Sequence, residues 1–387
     1  MTRMHNRRTA TEAAELIDEA CRRSGLDDFG ERDPAPALER FIDSVDQDAR
    51  LADPFRTALF EQVVGYLVNR LEVEDWHKRC LDIGREQIRA PVFGVGLPRT
   101  ASTLAVSLLA QDPATRSLRW WEAARPCPPP TAETQHDDPR IAEARAAYEL
   151  QQQVIPELTA MVPIEPTGPM ECNWVLAHQM TSMHYFVYVD AESYVRWVIS
   201  DDCDMGPAYR HHRQVLQLLQ WRCPPKRWNL KGPQHMFHLH ALDSVYPDAR
   251  FVVTHREPAT VLVSLARLAE TLHKVYGGGD RRRIGRFIVG LWEEGLRRLI
   301  AFRDENGNDE RFFDIHFEPF MADRLGTMRA VYDWLGWEFT PAAEAGIRRW
   351  QERNPQQPNP YSAADYGLDA DEIRERFSFY TTRFGVT

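Results

Sequence analysis

The chain has 387 residues, 43% of them hydrophobic, so it can bury a sizeable core, and length alone suggests about two to three domains. A net charge of −10 argues against a general nucleic-acid binder, which would carry a basic surface. No run approaches the ~18 apolar residues of a spanning helix, and no apolar stretch follows Arg3, Arg7 and Arg8, so a cytoplasmic protein is expected. Cys21, Cys80, Cys127, Cys172, Cys203 and Cys223 form no CxxC pair, which predicts neither a zinc site nor a disulfide framework.

Up to about residue 90 the pattern is helical. Thr9 and Glu12 suit a capping box ahead of a helix over Ala10–Cys21 that Gly25 stops, and further helices are expected over Pro54–Leu71 and from Glu74 to about Ile88. These residues, 1–88, read as a helical extension packed on the remainder, 89–387.

Residues 91–112, PVFGVGLPRTASTLAVSLLAQD, read as strand, tight loop and helix. A helix N-terminus presents unpaired N–H groups and partial positive charge, so a loop entered by Gly96 and carrying Arg99, Thr100, Ser102 and Thr103 suits an anion, most simply a phosphate. It is not a Walker A loop, because GxxxxGK[ST] needs a second glycine followed by lysine. Asp112 and Pro113 end that helix, and a short extended segment is expected over Leu118–Glu122. Five prolines between Pro126 and Pro139 mark a surface loop, and a helix follows over Arg140–Ile155. Residues 163–172 are too proline-rich for a regular element.

From Trp174 to Ile199 aromatics and methionines accumulate, among them Met180, Tyr185, Tyr188, Tyr194 and Trp197. They suit either ordinary core or an apolar acceptor pocket, and both readings can hold for different residues. The region around 140–225 is therefore expected to be a helical insertion that forms the acceptor pocket.

Trp228–Lys231 is a short expected strand, followed by Gly232, Pro233 and a helix. Arg250–His255 is strongly β-prone, and Arg256, Glu257 and Pro258 lead into a helix that carries Ser264. Alternating strands and helices indicate parallel strands with helical crossovers. Ligands bind beyond the carboxyl ends of such strands, which places Arg99, Lys231 and Arg256 along one edge. An amphipathic helix over Ile284–Phe302 and a strand over Arg311–Phe317 follow. Arg348–Tyr361 reads as a loop, and Asp369 suits the cap of the last helix.

The segments GLPRTAST, WNLKGPQH and YPDARFVVTHREPATVLVSLARL, in that order, resemble the bacterial sulfotransferases whose phosphosulfate loop carries arginine, a group related to tyrosylprotein sulfotransferases. The resemblance continues through EPTGPMEC, FFDIHFE, ADRLGTMRAVYDWLGW and YSAADYGLDADEIRERF, covering about residues 89–385. It implies a P-loop NTPase-like three-layer α/β fold, with a central parallel sheet flanked by helices. The implied donor is 3′-phosphoadenosine 5′-phosphosulfate (PAPS), with adenosine 3′,5′-bisphosphate as product and no metal. Negative charge grows on the leaving 5′-phosphate, so fixed donors there are the main requirement. By this resemblance the 5′ cradle comprises Pro98, Arg99, Thr100, Ala101, Ser102, Thr103 and the amide of Leu104, while Arg256 and Ser264 hold the 3′-phosphate. Lys231 assists the bridging or a sulfonate oxygen. Two groups compete as general base: Glu122, from a Trp-Glu segment, is narrowly preferred over His235 in LKGPQH.

The family loop usually has glycine where this chain has Ala101. A methyl group there costs affinity if the backbone needs positive φ, and is harmless if the position is helical. The leading expectation is a sulfotransferase acting on a hydroxyl of an apolar small molecule or lipid, with a homo-oligomer left open. A P-loop kinase and a non-catalytic nucleotide-binding protein on the same scaffold are the alternatives.

Overall fold

The computed structural model describes residues 2–162, 165–225, 227–274, 279–305, 307–354 and 366–386. Five strands form one parallel sheet: β1 (Val92–Val95), β2 (Thr115–Arg116), β3 (Arg227–Lys231), β4 (Arg250–His255) and β5 (Phe312–His316), in the order β2-β3-β1-β4-β5. β1 lies between β3 and β4, with Gly94 opposite Lys231 and Val95 opposite Val253. After β1 the chain travels out to β2, returns through β3, and crosses to β4 on the other side. Ligands bind outside the carboxyl ends of strands at such a switch.

Three helices precede the sheet: α1 (Thr2–Ser24), α2 (Ala35–Ser44) and α3 (Asp53–Arg79). α4 (Ser102–Leu109) follows β1. Between β2 and β3 lie α5 (Trp120–Ala124), α6 (Pro139–Val154), α7 (Pro156–Met161), α8 (Asn173–Ala177), α9 (Glu192–Val198) and α10 (Gly206–Gln220). Then come α11 (Leu239–Val245), α12 (Pro258–His273) and α13 (Arg281–Asp304). After β5 run α14 (Phe317–Ala322), α15 (Arg324–Leu335), α16 (Pro341–Arg353), α17 (Ala370–Arg376) and α18 (Ser378–Phe384).

Successive strand residues face opposite sides, and each side has its own core. Phe93, Val95, Phe251 and Val253 join Leu67, Leu216 and Leu296 from α3, α10 and α13. Val92 and Val252 join Leu104 and Leu108 of α4 with Val331 and Ile347 of α15 and α16. Helix, sheet and helix thus stack as three layers. Among the described residues no helix is long and apolar enough to cross a membrane.

Local differences from the sequence reading have simple causes. Gly25 does end α1, adopting φ +69° and donating its N–H to Cys21 O at 2.8 Å. Thr9, however, lies inside that helix and donates its hydroxyl to Asp43. With no breaker between Leu71 and Glu74, the two helices expected over 54–88 are one, α3, ending at Arg79. The segment expected to be extended at 118–122 instead enters α5, because Arg119 and Glu122 cap its first turn. After Gly232 a 3₁₀ turn over Pro233–Phe237 precedes α11. The loop expected from Arg348 begins as helix through Arg353, and residues 355–361 lie outside the described residues.

Candidate active site

β1 delivers the chain into a loop of unusual handedness. Gly96 has φ +111°, and a Cβ there would stand 3.2 Å from Val253 Cγ1 on the neighbouring strand. Arg99 (φ +66°) and Ala101 (φ +71°) are left-handed on either side of Thr100, and Ala101 is the N-cap of α4. Such alternation is the backbone pattern of an anion nest, here placed directly before a helix N-terminus. The methyl of Ala101 packs against the α4 core.

Thr100 is placed differently from the expectation that its hydroxyl faces the anion. Its side chain is fully buried: Oγ1 donates to Leu97 O at 2.7 Å and meets Thr254 Oγ1 at 2.5 Å. It braces the loop against β4, leaving only its backbone for the cradle. Ser102 and Thr103, in the first turn of α4, are partly exposed.

Arg99, Arg256 and Ser264 converge. Arg99 Nε donates to Ser264 Oγ at 3.1 Å and Nη1 to Met161 O at 2.6 Å, at the end of α7. Arg256 sits just beyond β4, stacks its guanidinium 3.9 Å from the Phe317 ring centroid, and donates Nη1 to Arg99 O at 3.3 Å. Two guanidinium groups far apart in sequence therefore share one sheet edge, as the strand order requires.

Lys231, the last residue of β3, is nearly buried and donates Nζ to Thr103 Oγ1 at 3.0 Å and Glu171 Oε1 at 2.8 Å. Glu171 is the residue that sequence reasoning missed. Met170 N–H bonds Leu118 O and Cys172 N–H bonds Lys231 O, both at 2.7 Å, so the backbone on either side pins Glu171 beside the lysine. Its side chain keeps about a third of its surface exposed, and Asn173 Nδ2 approaches Oε2 at 3.5 Å. The only sequence signal was its place in EPTGPMEC.

Neither expected base has comparable access. Glu122 is fully buried; Oε1 accepts from Arg116 and Arg119, each at 2.5 Å, while Oε2 accepts from Arg119 N–H. Burial alone would raise its pKa, but the two guanidinium charges and the hydrogen bonds outweigh this and hold it below the usual carboxylate range. With its oxygens occupied, it anchors the start of α5. His235 is also fully buried, bonded through Nδ1 to Tyr209 OH at 2.9 Å and set edge-on to Phe93. Burial keeps its pKa well below the ordinary histidine value. It packs closely on Gly232, where a Cβ would stand 3.0 Å from Nε2.

The aromatic segment divides. Met180, Tyr185 and Tyr194 are core, whereas Trp174, Tyr188 and Trp197 remain partly exposed. Trp174 lies three residues past Glu171, 6.5 Å from Trp120, which meets Tyr148 at 6.0 Å.

The fold is shared with solved sulfotransferases. STF9 from Mycobacterium avium superposes with a TM-score of 0.88 at 27% identity, covering 97% of each chain. STF1 from Mycobacterium tuberculosis H37Rv gives 0.79 at 29% identity, covering 95% of this chain and 98% of that one. In sequence, 114 residues are 29% identical to the omega-hydroxy-beta-dihydromenaquinone-9 sulfotransferase Stf3 of Mycobacterium bovis, a match spanning 28% of this chain and 28% of that relative. The profile of the Sulfotransferase family matches residues 91–341, which hold the loop, Glu171, Lys231 and Arg256, and the chain belongs to that family.

Proposed function

We propose that the protein transfers a sulfuryl group from PAPS to a hydroxyl of an apolar small molecule or lipid, releasing adenosine 3′,5′-bisphosphate. The observation that carries this reading is the convergence of Arg99, Arg256 and the Glu171–Lys231–Thr103 cluster on one edge of the sheet. PAPS supplies the sulfuryl group. The loop suits its 5′ end, because the nest and the first turn of α4 offer N–H donors beside the Arg99 guanidinium. Arg256 is assigned to the 3′-phosphate. Ser264, bonded to Arg99, links the two ends.

Glu171 is assigned as general base, accepting the acceptor hydroxyl's proton as the oxygen attacks sulfur in line. Lys231 holds that carboxylate at the edge of the loop and presents its ammonium where the bridging oxygen gains charge. The site's own cations meet that charge. The partly exposed rings of Trp174 and Tyr148, linked through Trp120, offer an apolar wall for the acceptor, which assigns the helical stretch between β2 and β3 to acceptor binding. The name of Stf3 is consistent with a lipid acceptor. All six cysteines are free, which suits the reducing cytoplasm.

Purified protein incubated with sulfur-35-labelled PAPS and a panel of hydroxylated lipids, quinols and phenols tests the reading. Label should pass to at least one apolar hydroxyl compound without added magnesium. A protein that binds adenosine 3′,5′-bisphosphate yet transfers nothing across the panel is instead a binding protein on this scaffold. Preference for ATP with magnesium points to the kinase.

A further inference from the structure

His255, the residue before Arg256, is fully buried at the end of β4 between the rings of Phe384 and His316, at 4.5 and 5.4 Å. Its Nε2 lies 2.8 Å from Asp314 Oδ1 on β5, and its Nδ1 2.8 Å from Tyr380 OH on α18. Asp314 also receives both Nη atoms of Arg303, at 2.7 and 2.9 Å. An arginine-paired carboxylate only accepts, so His255 donates Nε2–H to it, which makes Nδ1 the acceptor for the Tyr380 hydroxyl. Both bonds of the ring therefore have a fixed direction: Tyr380 to His255, His255 to Asp314. His255 is the last residue of β4 and is followed directly by Arg256, so the bonds that fix its ring also fix the backbone that enters Arg256.

We propose that Tyr380 is a positioning residue for the 3′-phosphate of the donor, holding His255 and through it the backbone that leads into Arg256, and so the aim of the Arg256 guanidinium. The proposal rests on the assignment of Arg256 to that phosphate. This chain of bonds reaches the 5′ cradle only through the Arg256 guanidinium, which donates Nη1 to Arg99 O at 3.3 Å. It ties the last helix of the described structure, α18, to one end of the nucleotide.

The test measures dissociation constants of adenosine 3′,5′-bisphosphate and adenosine 5′-monophosphate for the full chain, because their ratio isolates the 3′-phosphate. Tyr380→Phe should weaken the bisphosphate by about tenfold, the worth of one lost buried hydrogen bond, and leave the monophosphate within about twofold. Asp314→Asn provides a second route: it removes the charge that receives Arg303 and leaves His255 Nε2–H with a weaker acceptor, loosening the ring that Tyr380 holds, and the ratio should fall in the same way. A wild-type ratio near one defeats the assignment of Arg256 itself. A high wild-type ratio that Arg256→Ala abolishes but Tyr380→Phe and Asp314→Asn leave intact overturns the role of Tyr380 alone. Equal weakening of both nucleotides in both variants also overturns it, by showing a general structural role.

Discussion

Lys231 Nζ stands 2.8 Å from Glu171 Oε1, and the same ammonium reaches Thr103 in the first turn of α4 at 3.0 Å. One cation thus joins a partly exposed carboxylate to the loop proposed to hold the donor. Glu171→Gln should lower kcat at least 100-fold, the lower end of what general-base catalysis contributes, while nucleotide affinity stays near wild type and Tm falls modestly because the nearly buried Lys231 loses its countercharge. Steady-state transfer to a responsive acceptor and calorimetric nucleotide binding check both halves. Retained turnover would move the base elsewhere.

Glu122 should fail in a different way. Glu122→Gln leaves Arg116 and Arg119 buried without their countercharge, which costs about 3–5 kcal/mol. Tm should fall sharply, while kcat per folded molecule is retained. The pH dependence has a definite sign. The folded-state pKa lies below the unfolded value, so the stabilisation is fully present above the ordinary glutamate pKa of about 4.3 and fades as pH falls through the folded value. The Tm gap between wild type and variant should therefore be widest near neutrality and narrow in acid.

Ala101 holds a left-handed conformation where its methyl group is unfavourable. Ala101→Gly should relieve this and raise stability by about 1 kcal/mol, read as a higher Tm by scanning calorimetry, with nucleotide affinity equal or improved. A lower Tm would mean that the methyl's packing against the α4 core outweighs the backbone strain.

Short β-prone runs alternating with helices made the central architecture readable, because VFGV, RWNLK and RFVVTH are buried parallel strands and each leads into a loop with a charged residue. That juxtaposition put Arg99, Lys231 and Arg256 on one edge. Side-chain direction was not readable in the same way. Thr100 belongs to the loop by sequence, yet its hydroxyl turns inward because Leu97 O and Thr254 lie beneath it. Glu122 and Glu171 are both glutamates in irregular surroundings, and tertiary contacts separate them. Arg116 and Arg119 close over the first, while Leu118 and Lys231, 53 and 60 residues away in the chain, hold the backbone beside the second.

The central claim is that one nucleotide carrying two phosphates spans Arg99 and Arg256. Isothermal titration of adenosine 3′,5′-bisphosphate in metal-free buffer, into wild type, Arg99→Ala and Arg256→Ala, measures it most directly. The account predicts saturable one-to-one binding by wild type and at least tenfold weaker binding by each variant, in line with the loss of charge-assisted hydrogen bonds. No binding by the wild-type protein, or binding indifferent to both substitutions, would contradict it.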